Sequence, residues 1–296
     1  MKYAKPIVIV AAMLSVGLWF DGAAGQPAGA TDDPVTIAHE ATGLTFQANV
    51  EKIRGGEINW ARGTVCAVGT GKAREDLSGR RAELMAKRGA YIVAARNAAL
   101  VLAGVRVGPG GRFENVRNGW IRADVTLKGF RELDATYDPA TRTATARMEI
   151  PICGVRGAVS VLGLEGQKAR RFWTWPKPPT GAEYDVIVID ARGLACRPSV
   201  LTRISTADGQ CVFDTAEVLA GDLPRRLSAR YVTLPRNMKI PPQSDHRRRR
   251  CLGIRAVRVD ADGAIVLDQA NLNVLSQAPD AQQTLRRGKL LIVTDG

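Results

Sequence analysis

Histidine and aromatic side chains are scarce in this chain of 296 residues. It contains two histidines, His39 and His246, and the aromatic residues make up 5% of the sequence. Histidine is a frequent general base and a common zinc ligand. The sequence also has no Cys-x-x-Cys pair, the spacing at which two cysteines commonly bind zinc. The sequence therefore predicts no metal site and no catalytic residue that depends on histidine.

Complete nucleotide-binding and calcium-binding motifs are also missing. The segment Gly69-Thr70-Gly71-Lys72 lacks the third glycine of a dinucleotide loop, and no Gly-Lys-Ser/Thr phosphate loop occurs. We interpret this segment as a tight turn. Asp260-Ala261-Asp262-Gly263 begins like a calcium loop but lacks the later ligands, so a hairpin turn is expected there. No cofactor is predicted.

A few aspartates remain as candidates for acid–base chemistry. Asp185, Asp190 and Asp214 would have to act as paired acids, and no serine lies in a Gly-x-Ser-x-Gly segment. Asp190 with Arg192 and Arg203 is better explained as a charge cluster that holds a turn. A hydrolase or ligand-binding enzyme that uses Asp190, Asp214 or a free cysteine is the alternative function.

The N-terminus has the pattern of an export signal. Lys2 and Lys5 precede the apolar residues 6–20, and small residues follow at positions 23–25. This pattern predicts a cleavable signal peptide over residues 1–25 and a periplasmic or secreted protein. A second cleavage site at residues 28–30 and an uncleaved anchor are the alternatives, although the apolar run is short for a membrane-spanning helix of about 20 residues.

Five cysteines in an exported chain leave at least one thiol unpaired. Neighbouring strands are expected to bring Cys66 and Cys153 within bonding range. A second bridge would join two of the three cysteines that follow, Cys196, Cys211 and Cys251. Buried free thiols are the alternative for each of them.

Composition divides the chain after the signal into four parts. Charge, tryptophan and proline replace the strand patterns in a linker, within which Trp173 and Trp175 either pin the linker to one domain or mark a docking surface. The predicted parts are an N-terminal extension, a first domain, this linker and a second domain, at residues 26–57, 58–165, 166–181 and 182–296.

Periodicity predicts an α+β fold. Residues 80–107 contain a long helix that Gly104 ends with a left-handed cap, and large Ile and Val side chains of a sheet are expected to fill the gap beneath its small residues. Its predicted packing face is Ala82, Met85, Ala86, Gly89, Val93, Leu100 and Ala103.

Strand and turn patterns complete this prediction. The first domain should place the helix on an antiparallel sheet from residues 59–68, 120–137 and 143–153. The second is predicted to be a small mixed α+β domain rich in hairpins. Its elements are a buried strand at residues 184–189, hairpins at Asp208-Gly209 and Asp262-Gly263, a short helix at 280–287 and a strand at 289–294.

The helix and the strands that follow it resemble two known families. An alanine-rich helix with the pair Arg96-Asn97, the exit Gly104-Val105-Arg106-Val107, then Gly129, Tyr137-Asp138 and residues 143–153, is similar to the LPP-twenty lipoprotein family and to the N-terminal domain of flagellar assembly protein T. Residues 189–214 and 285–295 resemble companion segments of such proteins. No cysteine precedes Cys66, so the lipid-attachment cysteine of the lipoprotein members is missing, and the chain is not expected to be a lipoprotein.

The chain carries a formal net charge of +13. Basic residues cluster at Arg225-Arg226, at residues 247–250 and at Arg286-Arg287, and the longest run is expected to lie on an exposed loop where repulsion opposes regular structure. The candidate interaction surface is Arg247, Arg248, Arg249, Arg250, Trp173 and Trp175.

The resemblance and the charge together point to binding instead of catalysis. They predict a non-catalytic envelope protein, such as a flagellar or outer-membrane assembly component, whose partner is an envelope protein or an anionic surface. Peripheral contact with a membrane and assembly into an oligomer both fit this expectation. Nucleic acid is not expected to be a partner, because export removes the chain from it and no recognition motif for nucleic acid occurs.

Overall fold

The computed structural model describes residues 33–108, 111–112, 130–153, 171–177, 179–216, 227–246 and 248–295. The predicted signal peptide lies outside this part of the chain. So do Arg225-Arg226, Arg247 and residues 120–129 of a predicted strand.

The described residues form four helices and seventeen strands, and each set is numbered along the chain. The helices are α1 (Pro34–Thr42), α2 (Gly79–Ala103), α3 (Gln269–Ser276) and α4 (Ala281–Arg286). The strands are β1 (Gln47–Ala48), β2 (Val50–Ile53), β3 (Gly56–Asn59), β4 (Thr64–Lys72), β5 (Arg106–Gly108), β6 (Gly111–Arg112), β7 (Arg131–Asp138), β8 (Thr143–Pro151), β9 (Val186–Asp190), β10 (Arg203–Thr206), β11 (Cys211–Asp214), β12 (Ala229–Thr233), β13 (Gln243–His246), β14 (Arg249–Arg255), β15 (Arg258–Val259), β16 (Ile265–Leu267) and β17 (Leu290–Thr294).

An antiparallel sheet of five strands carries the long helix. Its order is β2-β3-β4-β8-β7, and α2 packs mainly on β4 and β8. The turn between β7 and β8 is held by Asp138, whose carboxylate accepts hydrogen bonds from the Ala140 amide (2.9 Å) and the Thr141 hydroxyl (2.6 Å). The predicted α+β fold, with one long helix on an antiparallel sheet, is confirmed.

Alanine and glycine bring α2 very close to this sheet. Beneath the helix lie Gly69 and Gly71 of β4, and an added Cβ on Gly71 would stand 2.3 Å from the carbonyl oxygen of Ala86. Only small side chains fit such a contact, so the expected Ile and Val side chains are not found here. The buried residues of α2 in this contact recur every four positions and are Ala82, Ala86, Ala90, Ala94 and Ala98.

Three glycines therefore have different roles from those predicted. Gly69 and Gly71 lie inside β4 and do not form the predicted tight turn. Gly104 has φ −79°, in the right-handed region, so the predicted left-handed cap is wrong. Its amide bonds the carbonyl of Val101 (3.0 Å), and an added Cβ would stand 3.3 Å from Cδ1 of Ile53. Lack of space explains this glycine better than backbone conformation does.

A second sheet of six strands is parallel at its centre. Its order is β1-β12-β17-β9-β14-β13, and the four middle strands run parallel while the two edge strands are antiparallel. All residues of β9 and β17 are buried, which is typical of parallel strands covered on both faces. The two strands predicted from apolar runs, at residues 184–189 and 289–294, are confirmed.

Helices cover both faces of the six-stranded sheet. Val186 and Val188 of β9 pack with α1, whereas Ile187 and Ile189 point to the other face and share a core with α3 and α4. The predicted short helix at residues 280–287 corresponds to α4. Residues 33–48, part of the predicted N-terminal extension, thus supply α1 and the edge strand β1 to this sheet.

A four-stranded sheet, in the order β11-β10-β16-β15, lies in the same half of the chain. The predicted hairpins form its turns: Gly209 (φ +84°) connects β10 to β11, and Gly263 (φ +70°) connects β15 to β16. One hydrophobic core continues from Val65 and Val101 beneath α2 to Ile204 and Ile265 of this sheet. Because the core is continuous, the sheets support one another.

All five cysteines are free thiols, so the predicted disulfides are absent. Cys66 alternates with Val65 along β4 and points to the opposite face, where its Sγ lies 3.9 Å from Glu149 Oε1. Cys153 is buried in the core that includes Val65. The two thiols lie on opposite sides of the sheet and cannot meet.

Candidate interaction surfaces

The outward side of α2 exposes large apolar residues. Leu84, Ile92 and Leu100 are 58%, 64% and 55% exposed, and Met85 and Val93 lie on the same side of the helix. The close contact beneath α2 admits only alanine, so the larger side chains must point away from the sheet. Scattered exposed apolar residues are ordinary, whereas five on one helix face form a patch of the kind that binding surfaces expose.

Arginines alternate with these apolar residues. Arg81, Arg88 and Arg96 are exposed on the same side of α2, and none has an acidic partner among the described residues. The one acid of the helix, Glu83, is bound by Lys87 (2.6 Å), whose hydrogen bond and charge lower the pKa of Glu83. We call the surface formed by Arg81, Leu84, Met85, Arg88, Ile92, Val93, Arg96 and Leu100 the outer face of α2.

The sequence prediction assigned part of this surface to the wrong side of the helix. Met85, Val93 and Leu100 were expected to pack on the sheet, yet they are exposed. The signal that identifies the correct face is the recurrence of alanine at every fourth position. Asn97 supports this orientation, because its Nδ2 donates to the Val68 carbonyl of β4 (2.7 Å) and fixes the helix on the sheet.

Two of the four arginines at residues 247–250 are bound within the fold. Arg249 lies 3.5 Å from Glu40 of α1 and 3.3 Å from Asp185. Arg250 stacks 4.5 Å above the Tyr184 ring and lies 3.7 Å from Asp245. Both belong to β14, so the expected irregular loop is wrong at these positions.

The other two arginines of the run are Arg247 and Arg248. Arg248 is exposed with φ +63° at the turn before β14. Arg247 lies outside the described residues. The run therefore presents Arg248 to solvent and uses Arg249 and Arg250 to fasten α1 and the segment before β9 to the sheet.

The two tryptophans of the linker lie against the protein core. Trp173 and Trp175 are half-buried, contact each other edge to face at 4.9 Å, and pack against the main cluster. The Trp173 amide donates to the Cys211 carbonyl (2.9 Å), and the Cys211 amide donates to that of Arg171 (2.9 Å). This arrangement matches the interpretation that they pin the linker. Trp175 and Pro176 line a cavity of about 190 Å³.

A cavity of about 390 Å³ opens between the β5–β6 and β15–β16 hairpins and the loop after β9. Arg106 lines it, but its guanidinium already donates to Glu51 (2.9 Å) and to the Pro198 carbonyl (2.8 Å). Asp260 accepts from the Ala264 amide (2.7 Å), and Ser199 donates to the Leu201 carbonyl (3.3 Å). The described lining residues therefore form no pair of nucleophile and base.

The aspartates considered for catalysis are bound by arginines. Asp190 receives hydrogen bonds from Nε and from a terminal nitrogen of Arg192 (both 2.8 Å), and Arg255 lies 3.4 Å away. Burial would raise the pKa of Asp190, but the hydrogen bonds and charge of Arg192 outweigh it and lower that pKa. Arg203 pairs with Asp214 (3.5 Å) instead of Asp190. These carboxylates are held in ion pairs, as a structural cluster requires.

Thiols and histidines are similarly placed in structural roles. Burial raises the pKa of Cys153, Cys196 and Cys251 to about 12, which removes the thiolate that nucleophilic chemistry needs. The Nδ1 atoms of His39 and His246 lie 2.9 and 3.1 Å from backbone carbonyls. Among the described residues, no three His, Cys, Asp or Glu side chains gather to hold a metal ion.

The C-terminal part of the chain is similar to a known protein domain. Residues 186–296 match the family model of the second domain of Treponema pallidum Tp0624. The matched region begins at β9 and includes the parallel centre of the six-stranded sheet. No curated protein matches the chain. The match does not reach α2, so the outer face of that helix lies in the part of the chain without a matched family.

None of the helices in the described part of the chain is both long enough and apolar enough to cross a bilayer.

Proposed function

We propose that this protein is a non-catalytic, exported component of the cell envelope that acts by binding another envelope component through its surface. The observation that carries the proposal is the outer face of α2, which combines five exposed apolar residues with three arginines that have no acidic partner among the described residues. A helix whose opposite side is fixed on a sheet presents such a face rigidly, which favours binding.

Two features of the sequence support this proposal. The export signal predicted at residues 1–25 would deliver the chain to the envelope. The first domain resembles the LPP-twenty lipoproteins and the N-terminal domain of flagellar assembly protein T, which suggests an assembly component without the lipid-attachment cysteine. The partner would be an envelope protein or an anionic surface.

The alternative, an envelope hydrolase or ligand-binding enzyme, has less support. Asp190 and Asp214 lie in ion pairs with arginines, and burial raises the pKa of three thiols to about 12. An enzyme needs polar groups that converge on a pocket. In the 390 Å³ cavity, Ser199 and Asp260 bond backbone groups, and Arg106 bonds Glu51 and the Pro198 carbonyl.

Retention in the envelope tests the proposed function. We expect the protein to fractionate with the envelope of its native cells, and the variant Leu84→Ser/Ile92→Ser/Leu100→Ser to pass into the soluble fraction. These residues are more than half exposed, so the fold should persist. The matched control replaces exposed apolar residues outside α2: Met238→Ser/Val257→Ser/Val274→Ser. A native protein that is as soluble as the α2 variant would overturn the proposal.

A further inference from the structure

We infer that the component bound by the outer face of α2 is the anionic surface of a lipid bilayer. The inference rests on the proposed function and names its partner. It follows from three properties of the face: its apolar side chains, its positive charge and the way the two alternate along the helix.

The apolar side chains extend over most of the helix. Leu84 lies in its second turn and Leu100 in its last, with Ile92 midway. At 1.5 Å per residue these positions span about 24 Å. A helix that lies in the plane of a bilayer inserts such a row of side chains into the boundary between head groups and acyl chains.

No acid within the described part of the chain balances the positive charge of the face. Arg81, Arg88 and Arg96 lack acidic partners among the described residues, in contrast to Arg249, which binds Glu40 and Asp185. Basic side chains beside an apolar row attract anionic lipids, and their long stems let the guanidinium groups reach phosphates while the apolar residues insert.

Charge of a single sign along the whole face favours an anionic bilayer as its partner. The face carries Arg81, Arg88 and Arg96 and no acid, and the apolar side chains between them can insert into the bilayer while the long arginine stems reach the lipid phosphates. No residue of this face lines either of the cavities beside Arg106 and Trp175. A deformable head-group layer fits a convex face that mixes charge with apolar side chains.

A second copy of the chain is a poor occupant for the same reason. Two outer faces packed together would bring arginines against arginines, and Glu83 is the only acid on α2 and is bound by Lys87. Like charges brought together in an interface oppose association. The same charges favour an anionic bilayer.

Vesicle flotation of the exported, signal-free protein tests the inference. We expect it to float with phosphatidylethanolamine vesicles that contain phosphatidylglycerol, but not with phosphatidylcholine vesicles, and to be released by added salt. The variant Arg81→Gln/Arg88→Gln/Arg96→Gln should bind anionic vesicles about a hundredfold more weakly. Leu84→Ser/Ile92→Ser/Leu100→Ser should also lose binding, because it removes the inserted side chains.

The matched control removes the same charge elsewhere. Arg197→Gln/Arg248→Gln/Arg258→Gln changes three exposed arginines outside α2 and should bind nearly as well as the native protein. Equal losses in both charge variants would overturn the inference, since net charge alone would then explain binding. Absence of native binding to anionic vesicles would overturn it as well.

The two proposals fail in distinguishable ways. If the outer-face variants leave the envelope fraction in cells while the native protein ignores anionic vesicles, the partner is an acidic protein, and the proposed function stands without the lipid. If the native protein neither binds vesicles nor fractionates with the envelope, both proposals fall.

Discussion

Gly69 of β4 lies so close beneath α2 that a Cβ atom on it would stand 2.1 Å from the backbone nitrogen of Ala94. Backbone atoms on both sides of this contact cannot move without shifting the whole helix or the strand. The distance between α2 and its sheet therefore depends on the absence of one methyl group. It also determines which residues of α2 face solvent.

We predict that Gly69→Ala destabilises the protein by about 1–3 kcal/mol or more, because the added methyl group overpacks a contact made of backbone atoms. Urea denaturation, followed by circular dichroism, measures the free energy of unfolding. A variant as stable as the native protein would contradict the close contact.

The control for Gly69 comes from the other side of the same contact. An added Cβ on Gly89 of α2 would meet only the Cα of Gly71, at 3.4 Å, an ordinary van der Waals distance. Alanine also favours a helix by up to about 1 kcal/mol over glycine. Gly89→Ala should thus be neutral or stabilising, so that one substitution type has opposite effects across one interface.

Arg192 and Asp190 form a buried ion pair at the end of β9. We predict that Asp190→Asn costs about 3–5 kcal/mol at neutral pH, because it leaves the buried charge of Arg192 without its counterion. Asp245→Asn is the control, since the Asp245 side chain is 69% exposed in its pair with Arg250 and exposed pairs contribute at most about 1 kcal/mol.

The same pair predicts how stability depends on pH. The pKa of Asp190 is lowered in the folded protein, so its contribution is present above the unfolded-state value of about 3.9. It is lost as the pH falls through the lower folded value. The difference in unfolding free energy between native protein and Asp190→Asn should be constant above about pH 5 and shrink in acid. A difference that grows in acid would contradict this assignment.

Local patterns were sufficient to predict much of this fold. The apolar runs of β9 and β17 identified buried strands, and Asp208-Gly209 identified a hairpin, because each signal lies within a few adjacent residues. Partners distant in the sequence were not predictable in this way. The pairing of β1 with β12 joins residues such as Gln47 and Thr233, and no local pattern records it.

The same limit applies to the candidate surfaces. Arg249 and Arg250 looked free because Glu40 and Asp185, which lie beside them in the fold, are far away in the sequence. The outer face of α2 was missed for a different reason. Hydrophobicity favoured Met85 and Leu100 for the buried side, whereas the glycines of β4 admit only alanine.

The thiols give a fourth prediction. We expect the native protein, treated with iodoacetamide near pH 8 without a reductant, to be alkylated very slowly at Cys153, Cys196 and Cys251. With pKa values raised to about 12, roughly one thiol in ten thousand is ionised at that pH. After denaturation, mass spectrometry should find five adducts. Fewer than five would reveal a disulfide and contradict the free thiols of the structure.

Arg106 ties the five-stranded sheet to the loop that follows β9. Its guanidinium binds Glu51 of β2 and the Pro198 carbonyl, and lies 5.7 Å from the Trp60 ring. Lysine cannot reproduce a forked contact of this kind. We therefore expect Arg106→Lys to cost about 1–2 kcal/mol, and a double-mutant cycle with Glu51→Gln should assign most of that loss to the pair.

Hydrogen exchange separates this local role from a general loss of stability. The amides of Val200 and Leu201 donate to the carbonyls of Arg106 and Val107 (2.9 and 2.6 Å), so in Arg106→Lys their exchange should accelerate. Ala146, paired with Gly69 in the centre of the five-stranded sheet, serves as the internal reference and should exchange as in the native protein. Equal acceleration at all three amides would mean that Arg106 stabilises the whole fold and does not act as a local link.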